Sequence, residues 1–145
     1  MTRERRRESR TDRPVVLIVD DHHDVCTLYS LYLDGVGFAP CIATNSRSAF
    51  AWAVTHQPAA VVADLTMLNA DRWMLLEQLN HDFRTSAIPV VVTSDHERPV
   101  TQSAAEDPGC AAFLPKTCAP EILGDTLRDV LFRRARPDAP GPTLQ

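Results

Sequence analysis

Apolar and polar positions alternate in blocks along this chain, and the blocks change period at regular intervals. "VVLIV", residues 15–19, is an unbroken and mostly β-branched run, which predicts a strand buried on both faces. "VCTLYSLYLDGVG", residues 25–37, switches to helical spacing through Val25, Leu28, Tyr29, Leu31 and Tyr32 and stops at glycines, with Asp24 a candidate N-cap. "FAPCIAT" predicts a second strand, and "NSRSAFAWAVTHQP" a helix opened by Asn45 or Ser46 and closed before Pro58. "AAVVADL" is a third strand. "ADRWMLLEQLNHDF" is an amphipathic helix whose apolar face is Trp73, Leu75, Leu76 and Leu79. "IPVVVTS" is the fourth strand, followed over residues 97–107 by a weak helix with Pro99 at its start. "CAAFLPK" is the fifth strand, and "APEILGDTLRDVLFRR" a last helix with Pro120 in its first turn.

Five strand–helix alternations rich in Val and Ile predict an α/β fold, a doubly wound five-stranded parallel sheet. Right-handed crossovers give it the order 2-1-3-4-5. The predicted core unit spans residues 14–134. Residues 1–13, "MTRERRRESRTDR", predict a disordered arginine-rich leader, and 135–145, with three prolines in "PDAPGP", a disordered tail.

Charge and cysteine content narrow the class. The net charge of −4 conceals six arginines against three acids in residues 1–13, leaving the remainder near −7. An acidic body gives no support to direct DNA binding. No apolar run reaches bilayer length and no signal-peptide region follows the arginines, so neither a membrane span nor export is expected, and the expected compartment is the cytoplasm. Cys26, Cys41, Cys110 and Cys118 form no CxxC pair and are expected as reduced, mostly buried small residues.

Ligands of such sheets sit at the carboxyl ends of the strands. There the chain delivers Asp20 and Asp21 from strand one, Asp64 from strand three, Thr93 or Ser94 from strand four and Lys116 from strand five. Two like charges at about 4 Å repel by roughly 4 kcal/mol at an effective dielectric near 20, so the acids call for a compensating charge. Clustered carboxylates suit Mg²⁺, which takes one or two of them and keeps waters for a phosphate. A carboxylate beside it can attack phosphorus to form an aspartyl phosphate, with the lysine and hydroxyl binding the new phosphoryl oxygens. His22 and His23 add a transition-metal reading. Adjacent helical residues point about 100° apart, so only one could aim at a cation, and a solvated helix start is the simpler expectation.

"LIVDDHHD", "VVADLTM", "IPVVVTSD" and "AAFLPKT", in this order and on successive strand ends, resemble the receiver domain of bacterial two-component response regulators. The resemblance covers residues 14–134 and implies the flavodoxin-like receiver fold. It implies Asp64 as phosphoacceptor, with Asp21 binding Mg²⁺ directly, Asp20 mainly through water, and the main-chain carbonyl of Thr66 as a further ligand. Ser94, five residues after Pro89 and 22 before Lys116, matches the switch hydroxyl ahead of Thr93. Lys116 matches the phosphate-binding lysine and Phe113 the aromatic switch position. Departures surround this set: Leu68 and Arg72 follow the phosphoacceptor, and Thr117 stands where the family usually has a cis proline. A non-proline cis bond costs about 2.5–4 kcal/mol, so a trans loop is expected after Lys116.

The function implied is that of a stand-alone response regulator, without an output domain. It would take a phosphoryl group from a sensor histidine kinase or histidine phosphotransfer protein and signal to an unknown downstream protein as a monomer or weak dimer. It would be a switch with at most slow self-dephosphorylation, not a turnover enzyme. Two competing expectations are a phosphate-independent pseudo-receiver and an aspartyl-phosphate phosphatase. Against the second, "DDHHD" does not supply the DxDx[TV] loop that haloacid-dehalogenase-type phosphatases carry after strand one.

Overall fold

The structure is a computed structural model describing residues 12–64, 71–94, 110–116 and 118–135, the side chains of 71–73 and 133–135 excepted. Its strands are β1 (Val15–Val19), β2 (Ala39–Ala43), β3 (Ala60–Asp64), β4 (Val90–Ser94) and β5 (Ala112–Pro115). The described helices are α1 (His23–Gly35), α2 (Ser46–His56), α3 (Asp71–His81) and α4 (Pro120–Ala135). All strand pairs are parallel and the order is β2-β1-β3-β4-β5.

Period-two alternation sends the strand side chains to two cores. Leu17, Val19, Val61, Ala63, Val90 and Val92 meet Ala49 and Ala53 of α2 and Leu75, Leu76 and Leu79 of α3. Val16, Ile18, Val62 and Val91 meet Cys26, Tyr29 and Leu33 of α1 and Leu123, Leu127 and Val130 of α4. The sheet is therefore covered on both sides, as continuous apolar strands require. Val16, Leu17, Ile18 and Val19 are each at most 1% exposed. At roughly 1.5–3 kcal/mol per buried apolar side chain, β1 outweighs the cost of drawing an acid in behind it.

Local signals explain most boundaries. Asn45 caps α2, its Oδ1 accepting the Ser48 N–H at 2.8 Å. Pro40 is tolerated because β2 is an edge strand. Two expectations need correction in α1. Its N-cap is His22, and Asp24 lies in the first turn, where a carboxylate favours the positive helix end. Leu28 and Leu31 are exposed, at 54% and 69%, and the buried face is Cys26, Tyr29 and Leu33. Both stripes fit a 3.6-residue period, and the sheet's position selects between them.

All four cysteines are free, Cys26 buried and the others half-buried. Among the described residues no peptide bond is cis. No described helix is long and apolar enough to cross a membrane. The expected helix over 97–107, Pro99, Leu68, Thr117, the Trp73 side chain and nearly all of the leader and tail lie outside the described residues.

Candidate functional site

The parallel order brings the ends of β1, β3, β4 and β5 to one edge, and of the polar residues predicted there Asp20, Asp64 and Lys116 meet. Asp20 follows β1 and is 3% exposed. Its N–H donates to the Ala43 carbonyl at 3.1 Å, continuing the β1–β2 ladder by one step. Its Oδ1 accepts the His22 N–H at 2.8 Å, a turn that orients the carboxylate inward. Asp64, the last residue of β3, is 1% exposed, whereas Asp21 is exposed to solvent. Lys116 reaches across from the end of β5. Its Nζ lies 2.5 Å from Asp64 Oδ2 and 2.9 Å from Asp20 Oδ2.

Burial alone would lower the Lys116 pKa. Its hydrogen bonds to Asp64 and Asp20, with their charges, prevail and hold it above the ordinary lysine value. The ammonium is thus a counterion for the buried acids, part of the compensation the acidic strand end calls for. It is incomplete, because three carboxylates face one lysine. Asp20, Asp21, His22 and Asp64 each offer one donor atom, and these lie within 4.8 Å of one another. That donor set fits a divalent cation that keeps some of its waters.

The other predicted residues divide as follows. Thr93 lies level with Asp64 in the β3–β4 register and Ser94 level with Pro115 in the β4–β5 register. Both are buried. The Ser94 carbonyl accepts the Lys116 N–H at 2.7 Å, tying the hydroxyl strand to the lysine. Phe113 lies level with Val92 and packs against the α2–α3 side of the core. Thr66 lies outside the described residues. His22 is at the helix start and solvent-exposed, as expected, yet one of its ring nitrogens faces the acids. Its backbone caps α1 without a side-chain cap bond, and its ring turns inward, with Nδ1 3.0 Å from Asp20 Oδ1 and 3.3 Å from Asp21 Oδ1.

Two further residues support the site without a signal of their own in the sequence. Tyr29, buried on α1, directs its hydroxyl at the carbonyls of Lys116 and Cys118, 3.0 and 3.1 Å away. It anchors both ends of the loop that follows β5. Its phenol is pushed above the ordinary tyrosine value, first by burial and then by the Cys118 contact. Tyr29→Phe removes this donor and leaves the carbonyls short of a partner, so a loss of about 1–2 kcal/mol in urea unfolding is expected. An unchanged midpoint would show that the hydroxyl contributes nothing to the loop.

Cys26 supports Asp20 from below, its Sγ–H donating to the Asp20 carbonyl at 3.2 Å. Burial first, and the Asp20 charge second, push its thiol from 9.0 up to about 11. The folded chain therefore holds this proton more tightly than the unfolded one. The associated stability is complete below about pH 9 and is lost as the pH rises through about 11. Lys116, also raised, acts in the same direction. The thermal midpoint should fall across this window in wild type, and Cys26→Ser should flatten the fall. Equal slopes would exclude the thiol as a source.

Known proteins resemble the chain in sequence and in fold. Residues 16–128 match the family model of the response regulator receiver domain. The chain is 30% identical over 120 residues to response regulator Rre1 of Synechocystis, covering 82% of this chain and 52% of Rre1. It is 28% identical over 116 residues to protein PilH of Pseudomonas aeruginosa, covering 80% of this chain and 96% of PilH. The chain thus spans about half of Rre1 and nearly all of PilH. Among solved structures, the chemotaxis response regulator CheY4 of Vibrio cholerae superposes with a TM-score of 0.74 at 22% identity, covering 81% of this chain and 98% of that one. At that identity the likeness is one of fold.

Proposed function

The chain belongs to the response regulator receiver domain family, and from that premise we propose that it accepts a phosphoryl group on Asp64 and signals through protein contacts. The donor is the phosphohistidine of a sensor histidine kinase or a histidine phosphotransfer protein. An Asp64 carboxylate oxygen attacks phosphorus in line, the N–P bond breaks, and the histidine leaves. Mg²⁺, when bound by the acids, supplies charge neutralisation for the phosphoryl oxygens. Asp20 and Asp21 hold that cation, while Lys116 follows the transferred group from its place against Asp64. The Ser94 hydroxyl donates to a phosphoryl oxygen, and Phe113 responds to that movement on the face a partner reads. The protein is a cytoplasmic switch rather than a turnover enzyme.

The observation that carries this reading is the Lys116 ammonium held 2.5 Å from a buried Asp64 and 2.9 Å from Asp20. A lysine so placed can stabilise the added phosphoryl charge without crossing the site. Intact-mass spectrometry after incubation with acetyl phosphate tests it. One phosphoryl group is expected with Mg²⁺ and none with chelator. A folded protein that takes no label from acetyl phosphate or phosphoramidate would instead be a phosphate-independent binding module.

A further inference from the structure

His22 stands apart from the residues so far assigned a task. It is the N-cap of α1 yet makes no side-chain cap bond, and its Nδ1 is directed among the three acids. The same Nδ1 lies 2.9 Å from Lys116 Nζ. These contacts conflict. If Nδ1 carries the proton, it faces the ammonium donor for donor. If Nδ1 is bare, it faces the Asp20 and Asp21 oxygens lone pair against lone pair, at 3.0 and 3.3 Å. No single tautomer satisfies both sides.

A divalent cation among these atoms removes the conflict once the ammonium draws back from Nδ1 toward Asp64, since a bare nitrogen and the carboxylate oxygens can all donate to it. The charge count agrees: three carboxylates and one lysine leave a deficit of two positive charges. Lys116 already shows the donor set gathering around a cation, with Asp20 Oδ2, Asp64 Oδ2 and His22 Nδ1 all within 2.9 Å of its ammonium.

We propose that His22 Nδ1 is a ligand of the cation at this site, tilting it from Mg²⁺ toward a first-row transition ion such as Mn²⁺, Co²⁺ or Zn²⁺. The inference rests on the reading of the acids as a cation site, but not on phosphoryl transfer. Mg²⁺ is a hard ion that favours oxygen and retains water, whereas imidazole nitrogen suits the later divalent ions. An all-oxygen site also binds transition ions somewhat more tightly than Mg²⁺. The diagnostic quantity is therefore the selective effect of removing the nitrogen. His22 is half-exposed, so its removal leaves the core intact.

The test is calorimetric titration of the full chain with Co²⁺ and with Mg²⁺, together with the visible spectrum of the Co²⁺ form. Wild type, His22→Ala and Asp20→Asn are compared, their folding checked by circular dichroism. His22→Ala should weaken Co²⁺ binding about tenfold or more, shift the Co²⁺ bands, and leave Mg²⁺ affinity within about twofold. Asp20→Asn should weaken both ions. Undiminished Co²⁺ affinity in His22→Ala, or equal losses for the two ions, would overturn the proposal. A wild type that binds neither ion would remove the cation site and the proposal with it. If Asp64 takes no phosphoryl group while His22→Ala still loses Co²⁺ selectively, the phosphoryl reading fails and the nitrogen ligand stands.

Discussion

Lys116→Met is expected to destabilise the metal-free protein by about 3–5 kcal/mol, the usual cost of leaving a buried charge without its partner. Methionine keeps most of the side chain's length and removes only the ammonium. Asp20 and Asp64, 3% and 1% exposed, then face each other without a counterion. Their repulsion, roughly 4 kcal/mol at about 4 Å and an effective dielectric near 20, is of the size of the expected loss. A divalent cation should reverse much of it. A ligand at a hundred times its Kd adds about 2.7 kcal/mol, and here it replaces the missing charge. The variant should also bind Mg²⁺ more tightly than wild type, because the ammonium no longer competes for the same oxygens. Urea unfolding with chelator and with saturating Mg²⁺ measures both effects. A variant as stable as wild type in chelator would mean that the acids do not need the lysine, and the account of the opposed charges would fail.

Asp64→Asn is expected to abolish labelling by acetyl phosphate, a drop of at least about 10³-fold, since it removes the proposed nucleophile itself. Fold stability should change little, by about 1 kcal/mol or less. The amide oxygen can still accept from Lys116, and one carboxylate fewer relieves the repulsion of the cluster. The contrast with Lys116→Met separates the two roles: one variant keeps its stability and loses the chemistry, the other loses stability first. Intact-mass spectrometry beside urea unfolding reads both. A label surviving on Asp64→Asn would move the nucleophile to Asp20 or Asp21.

Much of this protein is legible along the chain. Burial has a period, so "VVLIV" and "VVVTS" are recognisable as doubly covered strands, and their alternation with helical stripes leads to the observed strand order. Asp20, Asp64 and Lys116 fall at strand ends because a parallel sheet has one ligand edge, and the structure brings all three within hydrogen-bond distance. Where two readings shared one period the sequence was silent. Leu28 and Leu31 were as plausible a buried stripe on α1 as Cys26 and Leu33, and only the position of the sheet chose.

The contacts that tune the site belong to the tertiary structure alone. Lys116 meets Asp64 across 52 residues, Tyr29 meets the Lys116 carbonyl across 87, and Lys116 meets His22 across 94. Two adjacent histidines look alike in a sequence, and nothing local says which ring turns toward the acids. Periodicity determines which segments are strands and which are helices, because burial repeats along the chain. The direction of a single side chain is decided by charges and hydrogen-bonding groups that become its neighbours only when the sheet closes.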